Sequence, residues 1–413
     1  MPSRYLIFHL GARLHYAAAL QLEAANILEC LFTDTYAGEG SVLKQFARFI
    51  PERWRRGRLK RLLSRKAALP RNRVVAFNTF GLDYARALAS RPASDVYWDY
   101  NRRFAEKITR HRRFAQADAV YGFCGASADL FRYAKAAGKV CILEQMIAPV
   151  AAMVSELRTQ EGSWPGWAKV ASDAWDVDQW SALEREEWAL ADLVLAPSEY
   201  VRSCLLAVGV PPSRIRMVPY GVALPLEHRV HALQPDRPLR LLAAGAVDLR
   251  KGAPNLITAL GLFSGQEAVL RMAGGIGLLP ERCARLPANV ELLGQVPRTD
   301  MGKLYDWCDV FILPSVCEGS ATVTYEALAR GVPVVVSRNS GAPITPGQEG
   351  IVLDDLSPQT IAKVIRGLIA EPEQVARMSR CALARRDELS VESYGRRLIA
   401  AITSGSGSML PKM

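Results

Sequence analysis

The chain is expected to be an α/β protein of two doubly wound domains, each a parallel sheet covered by helices, facing one another across a cleft. Three observations lead there. At 413 residues it exceeds the roughly 100–200 residues that one hydrophobic core usually serves. Short β-branched or apolar runs alternate along it with helix-length segments, the rhythm of parallel sheets rather than of sandwiches or bundles. That rhythm stops at 223–238, a stretch with three prolines and two histidines, and then restarts with a new first strand.

In order, the first half has strand candidates at Tyr5–His9, Glu29–Thr33, Val74–Phe77, Ala119–Phe123, Val140–Glu144 and Leu193–Ala196, with amphipathic helices such as Leu14–Leu28 and Ser181–Leu190 between them. The second series has strands at Leu239–Ala244, Val269–Ala273, Val290–Leu293, Val310–Leu313 and Val334–Ser337. Residues 1–222 then form the first domain, 223–238 the linker and 239–390 the second domain. A helix over 391–405 is expected to return to the first domain, and the Ser/Gly-rich residues 404–413 to be a flexible tail.

Half of the residues are apolar and 23% are charged, a globular composition that excludes disordered, collagen-like and coiled-coil classes. No apolar run nears the roughly 18–20 residues of a membrane crossing, and the N-terminus is charged too early for a signal peptide. A cytoplasmic location is the expectation. The eight cysteines are scattered, with no C-x-x-C pair and no zinc-ligand spacing, so reduced thiols and no metal site are expected.

The net charge of +11 sits in one place. Residues 44–73 hold twelve basic side chains and one acid, Glu52, whereas the rest of the chain is balanced. The cations are interleaved with Phe46, Phe49, Ile50, Trp54, Leu59, Leu62 and Leu63, the pattern of a basic amphipathic piece on anionic lipid. Trp54, Arg55, Arg56, Arg58, Lys60 and Arg61 are its candidate membrane contacts. A plain solvated face is the rival reading. Nucleic acid is disfavoured, because the neutral remainder offers no second basic face and no recognisable binding module.

The stretch from Cys308 to Ser337 carries the chemistry. It reads as strand, Pro-Ser stop, glycine-bearing loop, helix from near Thr322, Gly-Val-Pro turn and strand. Two carboxylates, Glu318 in the loop and Glu326 on the helix, bracket seven residues. A carboxylate accepts two hydrogen bonds from sugar hydroxyls, while backbone amides at a helix N-terminus, here Ala321, Thr322 and Val323, can hold phosphate oxygens. The pairing suits a nucleotide sugar.

On these residues the sequence resembles the retaining, nucleotide-sugar-dependent glycosyltransferases of family 4. Their E-x₇-E motif is matched by Glu318 to Glu326 and runs on into E-A-L-A-x-G-x-P-V at Glu326–Val334. Residues 193–222, 245–260 and 290–315 match flanking segments, whereas the first half matches in outline only. The resemblance implies the fold called GT-B, two Rossmann-like domains across a cleft. It implies that Glu326 binds the ribose hydroxyls, Glu318 the transferred sugar and Lys251 the diphosphate. Gly245 belongs to the loop that carries Lys251, Gly11 and Arg13 occupy the first domain's loop beside the diphosphate, and Gln295 and Val296 lie where the base is held.

A fixed lysine with helix amides can stabilise a departing diphosphate without a metal, so no cofactor is expected beyond the nucleoside diphosphate sugar as co-substrate. Two positions depart from the family. Ala246 stands where many members have Arg, with Arg250 as the candidate replacement. Leu143-Glu144-Gln145-Met146 stands where many carry a His, leaving Glu144 or Gln145 as acceptor-side candidates. Histidines 9 and 15 read as packed or surface side chains, and Gly274–Gly277 as a tight turn. The implied activity is transfer of a hexose-type sugar to a glycan or lipid-linked acceptor at the inner membrane face. The alternatives are a catalytically silent binding subunit and a GT-B sugar-nucleotide epimerase.

Overall fold

The computed structural model describes residues 4–38, 41, 62–63 and 65–403, and two parallel sheets organise them. Seven strands make the first: β1 (Tyr5–His9), β2 (Leu28–Thr33), β3 (Val74–Ala76), β4 (Ala119–Phe123), β5 (Val140–Glu144), β6 (Leu193–Ala196) and β7 (Ile215–Met217). Their spatial order is β3-β2-β1-β4-β5-β6-β7, so the chain winds outward from β1 to one edge and then past β1 to the other. The second sheet has β8 (Leu239–Ala244), β9 (Ala268–Ala273), β10 (Val290–Gly294), β11 (Val310–Leu313), β12 (Val334–Ser337) and β13 (Gly350–Leu353) in the order β10-β9-β8-β11-β12-β13. This is the GT-B arrangement of two doubly wound Rossmann-like sheets.

Helices on both faces bury the strands on both sides, which is why β11 and β12 read as unbroken Val/Ile/Leu/Phe runs. Two strands were not expected. Both β7 and β13 are edge strands of three and four residues, too short for a periodic signal. A second difference follows β1. Instead of a helix from Leu14, the chain makes a tight turn in which Leu14, His15 and Tyr16 have φ of 46°, 51° and 65°, and the α-helix spans only Ala17–Ala24. Left-handed backbone costs about 1–2 kcal/mol per non-glycine residue. Here it swings the Tyr16 ring into the core against His9 and Tyr36.

Residues 223–238 run along the second sheet's domain without regular structure, held by the Arg229 N–H on the Arg330 carbonyl and the His231 N–H on Ser379 Oγ. The helix Val391–Thr403 packs on the helix Ala17–Ala24. The two crossing segments lie side by side, since Val222 N–H donates to the Leu389 carbonyl and Val391 N–H to the Val222 carbonyl. One hydrophobic cluster therefore passes through both halves, from Leu31 and Ile142 to Phe311 and Val334, with Tyr394 and Leu398 of the last helix inside it. No helix among the described residues is long and apolar enough to cross a membrane. Trp54, Arg55, Arg56, Arg58, Lys60 and Arg61 lie outside the described residues, as does the tail 404–413.

Leu398→Ala should cost about 2–5 kcal/mol, because it opens a cavity where the last helix joins the two halves. Chemical denaturation checks this. A loss below about 0.5 kcal/mol would mean that the helix is not part of the shared core.

Candidate functional site

The second domain's half of the site is made by two loops pressed together. Gly252, at φ 68°, approaches the turn after β11 so closely that a Cβ would lie 2.1 Å from the Pro314 carbonyl oxygen. Val316 N–H donates to the Arg250 carbonyl at 2.8 Å, and Asp248 Oδ1 accepts the Lys251 N–H at 2.9 Å. Burial pushes the Asp248 carboxyl up, opposed by Arg250 and Lys251. This packing brings Glu318 onto Lys251 Nζ at 2.6 Å and onto the Arg250 guanidinium. Glu318 and Lys251 are only 13% and 11% exposed, so their attraction is weakly screened. Gly245, at φ 122°, faces the Lys251 stem.

Glu326 stands on the short helix Thr322–Leu328, where Tyr305 donates its hydroxyl to Oε2 at 2.9 Å and Arg298 lies 3.7 Å from Oε1. His15, carried out by the left-handed turn, sits in the field of both Arg298 and Glu326; burial lowers its pKa, Arg298 adds to that and Glu326 opposes it. Ala321 differs from its expected part: its N–H already donates to the Ser340 carbonyl at 3.0 Å, which leaves the first-turn amides of Thr322 and Val323. Gln295 is exposed just beyond β10, with its amide nitrogen 3.5 Å from where a Cβ on Gly275 would stand, and Val296 is half-buried.

The first domain meets this half through backbone. A Cβ on Gly319 would lie 1.6 Å from the Met146 carbonyl oxygen, and the Ser198 hydroxyl donates to the Gly319 carbonyl, so the Glu318 loop is seated on the loops after β5 and β6. Gly11, at φ 88°, donates its N–H to Asp34 Oδ1 at 2.8 Å, and Asp34 pairs with Arg65 at 2.6 Å. Arg13 lies over the Phe123 ring with one nitrogen 3.4 Å from the Met146 sulfur. Gly11, Arg13, Asp248 and Arg250 line one cleft of about 1010 Å³ between the domains.

The acceptor-side expectation for Glu144 and Gln145 is corrected, because neither side chain faces that cleft. Both are buried. Glu144 accepts the Tyr121 hydroxyl at 2.5 Å and the Tyr220 hydroxyl at 2.9 Å; burial raises its pKa, and those hydrogen bonds oppose the rise. Gln145 accepts the Trp188 indole N–H at 3.0 Å and donates to the Ile147 carbonyl at 3.0 Å. Met146 and Ile147, which follow them, meet the Glu318 loop instead.

Two further carboxylates escaped the sequence reading. Glu184 and Glu187 project from the helix Val177–Leu190, both largely buried, and Glu184 also lines the cleft. Glu187 accepts the N–H groups of Gly125 (2.8 Å) and Ser127 (2.6 Å), while Glu184 accepts that of Val150 at 2.9 Å, so each holds one cleft loop from below. Burial pushes Glu184 up to about 7 and Glu187 up to about 8, against the pull of those N–H groups. Asp248, Tyr305 and Arg298 were missed as well, and His15 was read as a packed or surface side chain; their partners lie elsewhere in the chain, and only the loop position of Asp248 offered a signal.

The fold and this site define a class, two-domain proteins with a charged, carboxylate-bearing site at the domain junction. Residues 226–385 match the family described as glycosyl transferases group 1, which together with the two-sheet fold supports a family 4 glycosyltransferase. It is 27% identical over 192 residues to a D-inositol 3-phosphate glycosyltransferase of Segniliparus rotundus, covering 44% of this chain and 41% of that one. It is 27% identical over 239 residues to a GDP-mannose-dependent alpha-(1-6)-phosphatidylinositol monomannoside mannosyltransferase of Mycolicibacterium smegmatis, covering 48% of this chain and 60% of the other. The match thus spans about half the length of these curated relatives. In fold it is similar to a sucrose-phosphate synthase of Thermosynechococcus elongatus, with TM-score 0.66, 16% identity and coverage of 98% and 100%, and to Anabaena HepE in complex with UDP-glucose, with TM-score 0.61, 13% identity and coverage of 97% and 100%.

Glu187 makes a pH prediction. Its folded pKa is raised above the unfolded value, so the native state holds the extra proton between about 4.5 and about 8 and stability falls as pH rises through that window. Denaturant unfolding at pH 6 and pH 8.5 should show a loss of a few kcal/mol in the wild type and a smaller one in Glu187→Gln. An unchanged difference in the variant would contradict this.

Proposed function

We propose that the protein is a retaining glycosyltransferase that moves a hexose-type sugar from a nucleoside diphosphate to an acceptor hydroxyl in the interdomain cleft, without a metal ion. The observation that carries this reading is the seating of Glu318 between Lys251 and Arg250, with Glu326 on the adjoining helix. Lys251 and Arg250, held beside Glu318 and Asp248, are two cations that can turn to a diphosphate, and Arg250 supplies the charge that Ala246 lacks.

In this proposal the bond from the anomeric carbon to the β-phosphate oxygen breaks and its electron pair stays on the phosphate. The acceptor oxygen bonds to the same face of that carbon, and its proton passes to the departing phosphate. Lys251 and Arg250 stabilise the charge that develops there, a service worth most where water is excluded. Glu318 orients the transferred sugar and Glu326 the ribose, each by accepting hydroxyl hydrogen bonds. Gly11 and Arg13 close on the diphosphate from the first domain.

The names of the relatives, an inositol 3-phosphate glycosyltransferase and a mannosyltransferase on phosphatidylinositol monomannoside, support work in glycolipid or polysaccharide assembly. The basic segment 44–73 supports a cytoplasmic protein peripheral on an anionic membrane surface.

Thermal-shift screening against UDP-, GDP- and ADP-sugars tests the reading. The right donor at 100 times its dissociation constant should add about 2.7 kcal/mol of stability, and no response to any of them would contradict a donor site. Lys251→Ala and Glu326→Ala should each lower transfer by about a hundredfold or more with the fold intact, and EDTA should leave the wild-type rate unchanged. Wild-type rates in either folded variant, or reversible loss of activity in EDTA, would count against the assignment.

Replacing Arg55, Arg56, Arg58, Lys60 and Arg61 by Gln should release the protein from liposomes containing anionic lipid at low salt, since each cation contributes up to about 1 kcal/mol. Liposomes that fail to bind the wild type would remove the membrane from the account.

A further inference from the structure

A second cavity, of about 340 Å³, lies at the far end of the first sheet from the interdomain cleft. Arg4 precedes β1, Leu28 and Glu29 open β2, Arg73 precedes β3, and Arg112, Arg113 and Gln116 precede β4, so this is where the strands enter the sheet. Gly11 and Gly125 of the cleft follow the other ends of β1 and β4. Strands of five residues separate the two places by roughly 17 Å, at about 3.3 Å per residue.

The cavity is lined by four arginines and a single acid, Glu29, with the amide side chains of Asn26 and Gln116 and the buried Leu28. Glu29, 2% exposed, organises it. Its carboxylate takes Arg113 at 2.5 Å and lies 3.5 Å from Arg4, and its carbonyl accepts from Arg73 and Arg113 at 3.4 Å each. Arg113 also donates to the Asn72 carbonyl at 2.9 Å, which makes it a fixed part of the wall.

The other three guanidiniums keep donors to spare. Arg4 is 62% exposed, and the carboxylate beside it is already held by Arg113. Arg73 has Glu23 at 3.2 Å from one nitrogen. Arg112 is exposed, with no carboxylate within ion-pair distance among the described residues. Glu23 and Asp118, which accepts the Arg4 backbone N–H at 2.8 Å, stand outside the lining; even with both counted beside Glu29, four cations exceed three anions. Guanidinium forks match the oxygens of a phosphate group, and a buried carboxylate holding them from behind orients them in advance.

We propose that this cavity is a binding site for a soluble phosphate monoester, separate from the donor cleft and held by Arg4, Arg73 and Arg112 with the amides of Asn26 and Gln116. A soluble ligand fits better than a lipid headgroup, because no exposed large apolar side chain lines the cavity to enter a bilayer. The site stands independently of sugar transfer in the cleft.

Calorimetric titration of the full chain with glycerol 3-phosphate tests this. Saturable binding is expected, at least tenfold tighter than that of dimethyl phosphate, which carries one negative charge. Arg4→Gln with Arg112→Gln, both exposed positions, should weaken it tenfold or more with thermal stability unchanged, while Lys251→Ala leaves it as in the wild type. Binding lost in Lys251→Ala and kept in the arginine variant would put the phosphate in the cleft and overturn the proposal. Absence of saturable binding, or binding that neither variant alters, would overturn it as well. Vesicles containing phosphatidic acid are run beside these: attachment that needs Arg4 and Arg112, without binding of glycerol 3-phosphate, would overturn the soluble ligand in favour of a headgroup.

Discussion

The contact on which the site depends is the seat of Glu318 between Lys251 and Arg250. The three residues come from two loops 67 positions apart, and they meet only because the turn after β8 is packed onto the turn after β11. Gly252 allows that approach, having no Cβ to strike the Pro314 carbonyl, and the Val316 to Arg250 backbone bond fixes it. Once the loops are joined, a partly buried carboxylate lies between two cations in a medium that screens them poorly. An anion with several oxygens arriving there would compete with Glu318 for both partners. The same loop touches the first domain through Gly319 and Ser198, so the electrostatic centre and the domain junction are one structure.

Behind the first domain's face of the cleft, the polar groups are turned inward and satisfied. Glu187, Glu184 and Gln145 hold loop amides and the Trp188 indole, and Glu144 holds two tyrosine hydroxyls. Buried polar groups that are fully bonded fix one arrangement of the loops they hold. The cleft is then lined by apolar and aromatic side chains together with Asn101, Glu161 and Glu184 and the cations Arg13, Arg65 and Lys169. Rigidity is supplied from beneath and apolar contact area is offered above.

Elements whose cause is local could be read from the sequence. Buried parallel strands such as β11 and β12 announce themselves as apolar runs, and the E-x₇-E pair falls within nine residues. Features decided by distant partners could not. Glu144 faces inward because Tyr121 and Tyr220, 23 and 76 positions away, supply its hydrogen bonds. The Ala321 amide is claimed by Ser340, which no spacing rule connects to it. The left-handed turn at Leu14–Tyr16 had no glycine to announce it, since the packing of Tyr16 against His9 and Tyr36 imposes it. The short edges β7 and β13 carry too few residues for a period to show.

The central claim is that Lys251 and Arg250 form a diphosphate site in which Glu318 is both an occupant and, during transfer, a sugar ligand. Measuring the affinity of Glu318→Gln for the free nucleoside diphosphate, beside its transfer rate, separates the two parts. Removing the competing negative charge should leave diphosphate binding as tight as in the wild type or tighter, while transfer falls steeply. A variant that loses diphosphate affinity along with its transfer rate would mean that Glu318 builds the site structurally instead of sharing its cations, and would contradict the account.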